Sequence, residues 1–523
     1  MFPFSAATRT ANLARMAQDR FDVLVIGGGI TGAGIALDAA ARGFSVALVE
    51  KDDFASGTSG RSSRLVHGGL RYLEHGEFGL VRESLRERGL LFRLAPHLVR
   101  PVPMYMLAGD LRSRARYGLG LTGYDLMAAG RNIGVHQPVT AEQVRQAIPG
   151  LGGARSRGYR YFEGQTDDAR LTIEVARAAQ ASGAVLANHT RAEAFLGGAR
   201  VEGAVAAEKT TGQRFEIRAR VTVNAGGVWA DQVRGLAAAA AGEQRLLPSK
   251  GVHLVFAPGA VRTKAALAVP SAAGDGRFVF LVPWEDRVYA GTTDTAYSGS
   301  LDRPAVEDAD RDYILATVAR YFPDVTKRDV AASWAGLRPL LGGAAAGGAA
   351  ADARTADLSR KHVVFEDPPG LFTITGGKLT TYRAMAEDLV DRISGTLGPR
   401  GRCSTRSIPL GLHGPAGVAL RLATAEAARL GLPPGTGARL VQRYGDDWGE
   451  AVRLIGQDPS RGEPAVDGLP VLNVELDLAR EREMAITAGD VFIRRTRLTT
   501  RDASVRVPRA PGVITPSGGS ASG

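Results

Sequence analysis

FDVLVIGGGITGAGIALDAAARGFSVALVE, residues 21–50, is the stretch on which the reading of the fold turns. Residues 21–26 are a short apolar run rich in β-branched side chains, the pattern of a buried parallel strand. From about residue 31 to 42 alanine and leucine dominate a helix pattern that stops at Gly43. The glycines therefore fall at a strand-to-helix turn. Gly27 permits the tight bend, Gly29 lets a pyrophosphate approach the backbone, and Gly32 allows close helix–strand packing. The phosphates then meet the unpaired N–H groups of a helix N-terminus. A second strand, residues 45–49, ends at Glu50, whose carboxylate suits ribose hydroxyls and disfavours a 2′-phosphate, which argues against NADP. An adenine dinucleotide follows from this unit; on these residues alone, NAD and FAD both remain open.

The rest of the composition bounds the setting. A chain of 523 residues is long enough for two or three domains, and 44% hydrophobic with 23% charged residues is the balance of a globular protein. No stretch approaches the ~20 apolar residues of a membrane span. Residues 1–20 lack the apolar core of a secretory signal and read as a frayed or amphipathic leader, which makes the cytoplasm the default location. The single cysteine, Cys403, excludes an internal disulfide and a multi-cysteine metal or iron–sulfur centre within one chain, and no HExxH pattern occurs, so the expectation is no metal. The net charge of +11 comes from arginine, lysine being present at only seven positions, and it is read as general surface charge with no nucleic-acid site. Steering of anionic substrates and attraction to an anionic membrane surface remain open.

Farther along, residues 56–74 (SGTSGRSSRLVHGGLRYLE) combine repeated glycine with many donors, and residues 77–94 read as a helix whose arginines and glutamates suggest a solvated outer face. Residues 220–224 form a strand running into Ala225-Gly226-Gly227 and a helix-like segment. Strands at 253–256, 277–282 and 288–292, separated by polar turns, suggest an antiparallel substrate-facing sheet. Residues 341–353 are a low-complexity Gly/Ala loop. Residues 371–375 give a buried strand, Gly376-Gly377 a turn, and 379–393 a helix, repeating the logic of the opening unit. Helices joined by short Pro/Gly loops follow from about Ile408, and the tail from about Thr499 reads as disordered.

GGGITGAG (27–34), SSRLVHGGLRYLE (62–74), SWAGLRPL (333–340), TGGKLTTYR (375–383) and the C-terminal segment 473–498, in this order, resemble the FAD-dependent glycerol-3-phosphate dehydrogenases, the respiratory type that passes electrons to quinone. The resemblance covers nearly the whole chain. It implies an α/β fold: a discontinuous Rossmann-like FAD-binding domain (21–86, 160–232 and 344–405), an antiparallel-sheet substrate domain of D-amino-acid-oxidase type (87–159 and 233–343), and an α-helical C-terminal domain (406–498), with flexible termini at 1–20 and 499–523. It also implies FAD as cofactor and oxidation of sn-glycerol 3-phosphate to dihydroxyacetone phosphate, in glycerol catabolism. Cytoplasmic location with peripheral attachment to the inner face of the cell membrane, and a homodimer, remain open within that resemblance.

Such chemistry needs cations for the phosphate dianion, a proton acceptor near C2, and a positive group beside the anionic reduced flavin. The resemblance assigns Arg71, Tyr72, Arg360 and Thr380 to substrate binding and His253, Arg338 and Lys378 to catalysis. His253, in SKGVHLVF, is the first choice of base, with Arg338 competing; an imidazole accepts a proton near neutral pH, which suits arginine less. Lys378 is placed to stabilise reduced flavin or hold the phosphate. The cofactor is assigned to Gly27, Gly29, Gly32, Glu50, Ser62, Ser63, His67, Gly68, Ala225, Gly226, Gly376, Gly377, Lys378 and Leu379. The tail after Leu498 and the Gly/Ala loop depart from the family pattern. Three other readings are a glycerol-3-phosphate oxidase using O₂, a flavin oxidase of amines or amino acids, which would leave Arg71 and Arg338 unexplained, and a flavin-binding regulatory module without turnover.

Overall fold

The computed structural model describes residues 4–73, 76–152, 157–237, 245–342 and 361–507. Its centre is the apolar strand Arg20–Ile26, paired in parallel with Val46–Val49 on one side and Arg214–Asn224 on the other. Leu371–Thr375 and Val185–Ala187 extend the parallel set outward, Val363–Glu366 closes one edge, and Thr190–Phe195 with Gly203–Glu208 add an antiparallel flap. Helices Ile30–Ala41, Asp168–Ala181 and Tyr382–Leu397 supply much of the large core built around this sheet. This is a doubly wound arrangement, in which ligands bind beyond the carboxyl ends of the strands.

Why the chain turns where it does is visible at two glycines. Gly27 sits at φ +116°, and a Cβ there would lie 2.5 Å from the Ala225 carbonyl oxygen. At Gly32 a Cβ would fall 1.9 Å from the Gly27 carbonyl oxygen, so only glycine lets the helix start against the strand.

A second, ten-stranded sheet stands beside the first, in the order Thr295–Ala296, Leu246–Phe256, Arg287–Gly291, Phe278–Trp284, Ala266–Pro270, Arg100–Ala108, Arg157–Gln165, Leu65–Val66. Val330–Leu341 pairs along the whole of Leu246–Phe256, and Gln137–Val139 pairs with Arg157–Gln165. The sheet is mainly antiparallel, as the alternating pattern suggests, but Ala266–Pro270 runs parallel to Arg100–Ala108. Arg157–Gln165 belongs to this sheet over its full length, so the boundary expected at residue 160 cuts a strand. Helices Ala416–Arg429, Thr436–Tyr444, Trp448–Gln457 and Asn473–Arg482 make up the C-terminal part.

Three expectations are corrected. Residues 1–20 are not simply a flexible leader: Ala6–Gln18 is a helix capped by Ser5, with Met16 buried and Arg9 paired with Glu208 across the sheet flap. Disorder does not begin at Thr499: Leu498–Arg501 is helical, Arg501 is buried, and its guanidinium pairs with Glu285 and Asp286. Residues 508–523 and the Gly/Ala loop from residue 343 lie outside the described residues. Helix Phe78–Leu94 does not turn all its charges to water, because Arg88 is buried against Glu163 and Glu87 against Arg383, so these charges are satisfied by partners inside the protein.

Candidate active site

One elongated cavity runs past the carboxyl ends of the parallel strands and under the second sheet. At one end it is lined by Gly27, Gly29, Ile30, Thr31, Glu50, Lys51 and Trp229, and at the other by His253, Arg338, Lys378 and Thr380. Helix Ile30–Ala41 begins at Gly29, which has no side chain to cap it, so its N-terminus is left for an anion. The loop crossing above contributes Ser59, whose hydroxyl accepts the Ile30 N–H at 2.9 Å. Glu50 is buried with Oε2 on the Gly28 N–H at 2.6 Å and Oε1 on the Asp52 N–H at 2.9 Å. Burial pushes its carboxyl above the usual range, opposed by those two N–H groups. Lys51 Nζ lies 4.0 Å over the Trp229 ring and pairs with Asp302, a cation and an aromatic plane that the sequence reading did not pick out.

At the other end, strands Leu246–Phe256 and Val330–Leu341 place His253 opposite Trp334 and Ser249 opposite Arg338. The imidazole stacks on Trp334 at 4.7 Å and 12°, and its Nε2 lies 3.1 Å from Ser63 Oγ. Its buried Nδ1 has no hydrogen-bond partner among the described residues. Glycine makes room for these side chains: a Cβ on Gly291 would meet His253 Cδ2 at 2.4 Å, and one on Gly251 would meet Arg338 Nη2 at 2.6 Å. Burial, and then the guanidiniums of Arg338 and Arg64, hold His253 well below its ordinary pKa, so the ring is neutral near pH 7 and able to accept a proton.

Arg338 is fixed on several sides. Nη1 donates to Asp294 Oδ1 at 3.2 Å and Ser249 Oγ at 3.4 Å, while Nη2 donates to Thr292 Oγ1 at 3.0 Å and the Thr293 carbonyl at 3.2 Å. All of these partners but Ser249 sit in GTTD, residues 291–294, a polar run at a strand end whose meaning appears only once the strands pair. Nη1 forms an ion pair with Asp294, and a guanidinium, charged at any working pH, is a worse base than the imidazole of His253. Lys378 Nζ lies 3.8 Å over the Tyr72 ring and donates to Ser84 Oγ at 3.2 Å. Gly376 and Gly377, both at φ +79°, carry the chain from strand Leu371–Thr375 to that lysine.

Of the other expected residues, Ser62, Ser63, His67, Tyr72, Ala225, Gly226, Leu379 and Thr380 all line the cavity. Thr380 Oγ1 accepts the His67 N–H at 3.3 Å. Gly32 does not line it, in keeping with a packing role. Gly68 does not line it either; its N–H donates to Tyr124 Oη at 2.8 Å. The Arg71 side chain and the whole of Arg360 lie outside the described residues.

Family models decide what this frame is. That for FAD dependent oxidoreductases matches residues 22–392, and that for the C-terminal domain of alpha-glycerophosphate oxidase matches residues 403–516. The chain belongs to the FAD dependent oxidoreductase family. Within that family it is 39% identical to glycerol-3-phosphate dehydrogenase 2 of Mycobacterium tuberculosis (strain ATCC 25618 / H37Rv), over 94% of this chain and 83% of the relative. It is 34% identical to the alpha-glycerophosphate oxidase of Streptococcus pneumoniae serotype 4, over 94% of this chain and 91% of the relative. The crystal structure of the glycerol-3-phosphate dehydrogenase from Bacillus halodurans, complexed with FAD, superposes with a TM-score of 0.75 at 34% identity, covering 96% of this chain and 90% of that one. The cofactor of this FAD dependent oxidoreductase is FAD. Its residues fit that group, since the glycine turn leaves no Cβ in the way of a pyrophosphate, and the helix start, beyond the Ile30 N–H that Ser59 takes, and Glu50 supply the complementary donors and acceptor.

Asp53, His189 and Asp490 can bring three ligand atoms within 4.8 Å of one another among the described residues. Arg494 and Arg495 already occupy Asp53, and Arg494 also holds Asp490, so this FAD dependent oxidoreductase uses the group as an ionic tie between the dinucleotide strand and the C-terminal helices.

A pH prediction follows from its buried imidazoles. His97, buried with neither ring nitrogen bonded among the described residues, is lowered to about 3 by burial and by Arg170, in the same direction as His253. Each is depressed in the folded state, so its contribution is intact above the unfolded value of about 6.5 and is lost as pH falls toward the folded value. Unfolding free energies from urea titrations are expected to hold from pH 7.5 to about 6.5 and to fall from there to pH 5, by up to roughly 1.4 kcal/mol per pH unit for each imidazole. A flat profile would contradict the neutral assignment.

Proposed function

We propose that this enzyme oxidises sn-glycerol 3-phosphate to dihydroxyacetone phosphate and passes the electrons to a quinone. The observation that carries the substrate reading is the meeting of His253, Arg338, Lys378 and Tyr72 at one end of the cofactor cavity. FAD, when bound, supplies the acceptor for the hydride leaving C2. His253, neutral and held by Ser63 and Trp334, takes the proton of the C2 hydroxyl, so that the C–H and O–H bonds are replaced by a carbonyl. Arg338 and Lys378 hold the substrate phosphate and balance negative charge next to the ring system, with Arg71, Tyr72, Arg360 and Thr380 completing the anion site. Strands of the second sheet wall this end of the cavity through His253 and Arg338.

Relatives at 35–39% identity are named dehydrogenases and not oxidases, which supports an acceptor other than O₂. A second reading, transfer to O₂, is favoured by the 34% identical alpha-glycerophosphate oxidase and by the family model matched at residues 403–516. Turnover with glycerol 3-phosphate in air separates them. The quinone reading expects slow oxygen uptake and fast anaerobic reduction of a soluble ubiquinone analogue; peroxide formed in equal amount to dihydroxyacetone phosphate, at the full rate without quinone, overturns it.

A further inference from the structure

Arg64 stands between two residues that line the cavity, Ser63 and Leu65, and does not line it itself. Its side chain is buried, and Nε and Nη1 have no hydrogen-bond partner among the described residues. A buried guanidinium left short of partners is costly, so something else must hold it. Aromatic planes do. The guanidinium carbon lies 3.8 Å over the Trp284 ring and 4.7 Å over the Trp334 ring, with Tyr289 at 5.9 Å. Trp334 is also the ring on which His253 stacks, so the cation and the imidazole share one aromatic partner. Backbone strain marks the same place: Arg64 sits at φ +54°, a left-handed conformation that residues with a Cβ rarely adopt.

The loop that carries Arg64 is tied on both sides. Trp334 Nε1 donates to the Ser62 carbonyl at 3.3 Å, and Tyr289 Oη to the Ser63 carbonyl at 2.9 Å. From the other side Asp168 Oδ2 accepts the Ser62 N–H at 2.8 Å, while Ser62 Oγ accepts the Arg64 N–H at 3.0 Å. Asp168 and Asp167 attract Arg64, yet both are engaged by Arg497, whose Nη1 also donates to the Gly60 carbonyl at 2.9 Å. A second arginine of the C-terminal segment, Arg501, lies 5.0 Å over the Trp284 ring and is paired with Glu285 and Asp286. The C-terminal segment thus keeps the nearby carboxylates from drawing Arg64 off its rings. Among the described residues, the charged and titratable groups that face the imidazole are Arg338 on the paired strand, Tyr289 with ring centroids 6.1 Å apart, and Arg64.

We infer that Arg64 is a positioning residue for His253: held over Trp284 and Trp334, it fixes the plane on which the imidazole stacks. Its charge, which cannot be titrated away at working pH, also opposes a second positive charge on that ring. The inference rests on the reading of His253 as the base. It makes the C-terminal segment, through Arg497 and Arg501, part of what supports the catalytic wall.

Magnetic resonance of the holoenzyme, isotope-labelled at histidine, reads the ring directly, with His253 identified by the signal lost in His253→Asn. Arg64→Met removes the charge and keeps a long side chain. It is expected to move the His253 signal, to raise the pH at which that signal titrates above the wild-type value, and to slow flavin reduction by glycerol 3-phosphate at least about tenfold with substrate Kd changed only a few-fold. Arg64→Lys puts a cation back over the same rings and should recover the wild-type titration and part of the rate. A wild-type His253 signal and rate in Arg64→Met overturns the inference. So does an Arg64→Lys enzyme that titrates like Arg64→Met, since side-chain shape and not charge would then be at work. If Arg64→Met is purified without flavin, Trp284→Phe decides, because it keeps a ring in place but binds a cation more weakly. With flavin bound, it should shift the His253 signal in the same direction, and an unchanged signal overturns the inference. A His253→Asn enzyme that reduces its flavin at the wild-type rate removes the base reading; the His253 signal in Arg64→Met still decides whether Arg64 holds the ring.

Discussion

His253→Asn is expected to slow flavin reduction by glycerol 3-phosphate roughly 10²- to 10⁴-fold, the range for loss of a positioned general base, while the Kd for substrate changes only a few-fold. The ring is buried, stacked on Trp334, within reach of Ser63 and depressed in pKa, which leaves it unprotonated at the moment a hydroxyl proton must leave. Asparagine keeps a polar group of similar size and cannot take the proton. Stopped-flow reduction at several substrate concentrations separates the two quantities. Because the group is already neutral, the wild-type rate should also hold steady from pH 8 down to 6.5 where a histidine of ordinary pKa would begin to lose activity. A variant with full reduction rate and weakened binding would move His253 to substrate positioning and return Arg338 as the candidate base.

The second large effect is expected at Gly32→Val. Its Cβ would lie 1.9 Å from the Gly27 carbonyl oxygen, which is backbone and cannot step aside, so the helix must shift away from the strand that holds the pyrophosphate. A loss of about 3 kcal/mol in stability is expected, with protein purified free of flavin. Gly43→Ala is the control. No atom lies within 4 Å of its Cβ, and the cost is confined to φ +92°, about 1–2 kcal/mol with flavin retained. Denaturant midpoints and the ratio of flavin to protein absorbance read both. Equal flavin content in the two variants would show that helix–strand contact at Gly32 does not shape the site.

The parallel sheet was legible because its signals are local. Strand, glycine turn, helix and acid follow one another within residues 21–50, and each enforces the next through backbone geometry. The same holds for Leu371–Thr375 and Gly376-Gly377, where a buried strand and two left-handed glycines deliver Lys378. What could not be read is non-local. Asp294 and Thr292 hold Arg338 only because strand pairing brings residue 249 beside residue 338, a relation that spacing along the chain does not carry. The solvated face expected for residues 77–94 fails for the same reason, since the partners of Glu87 and Arg88 are Arg383 and Glu163, distant in sequence. Composition also misled at the ends. Residues 1–20 and the stretch after Leu498 look polar and irregular, yet Arg9 and Arg501 are buried by pairing with acids on other elements. The Pro- and Ser-rich cues for disorder are blind to such partners.

The central claim is that the flavin of this family member faces a site built for a phosphorylated secondary alcohol. Anaerobic titration of the purified holoenzyme with glycerol 3-phosphate, followed in the visible band of oxidised flavin, tests it most directly. Full bleaching is expected at one equivalent of substrate per flavin, with glycerol and amino acids without effect at the same concentrations. Flavin that stays oxidised with glycerol 3-phosphate, or bleaches with an amino acid instead, would contradict it.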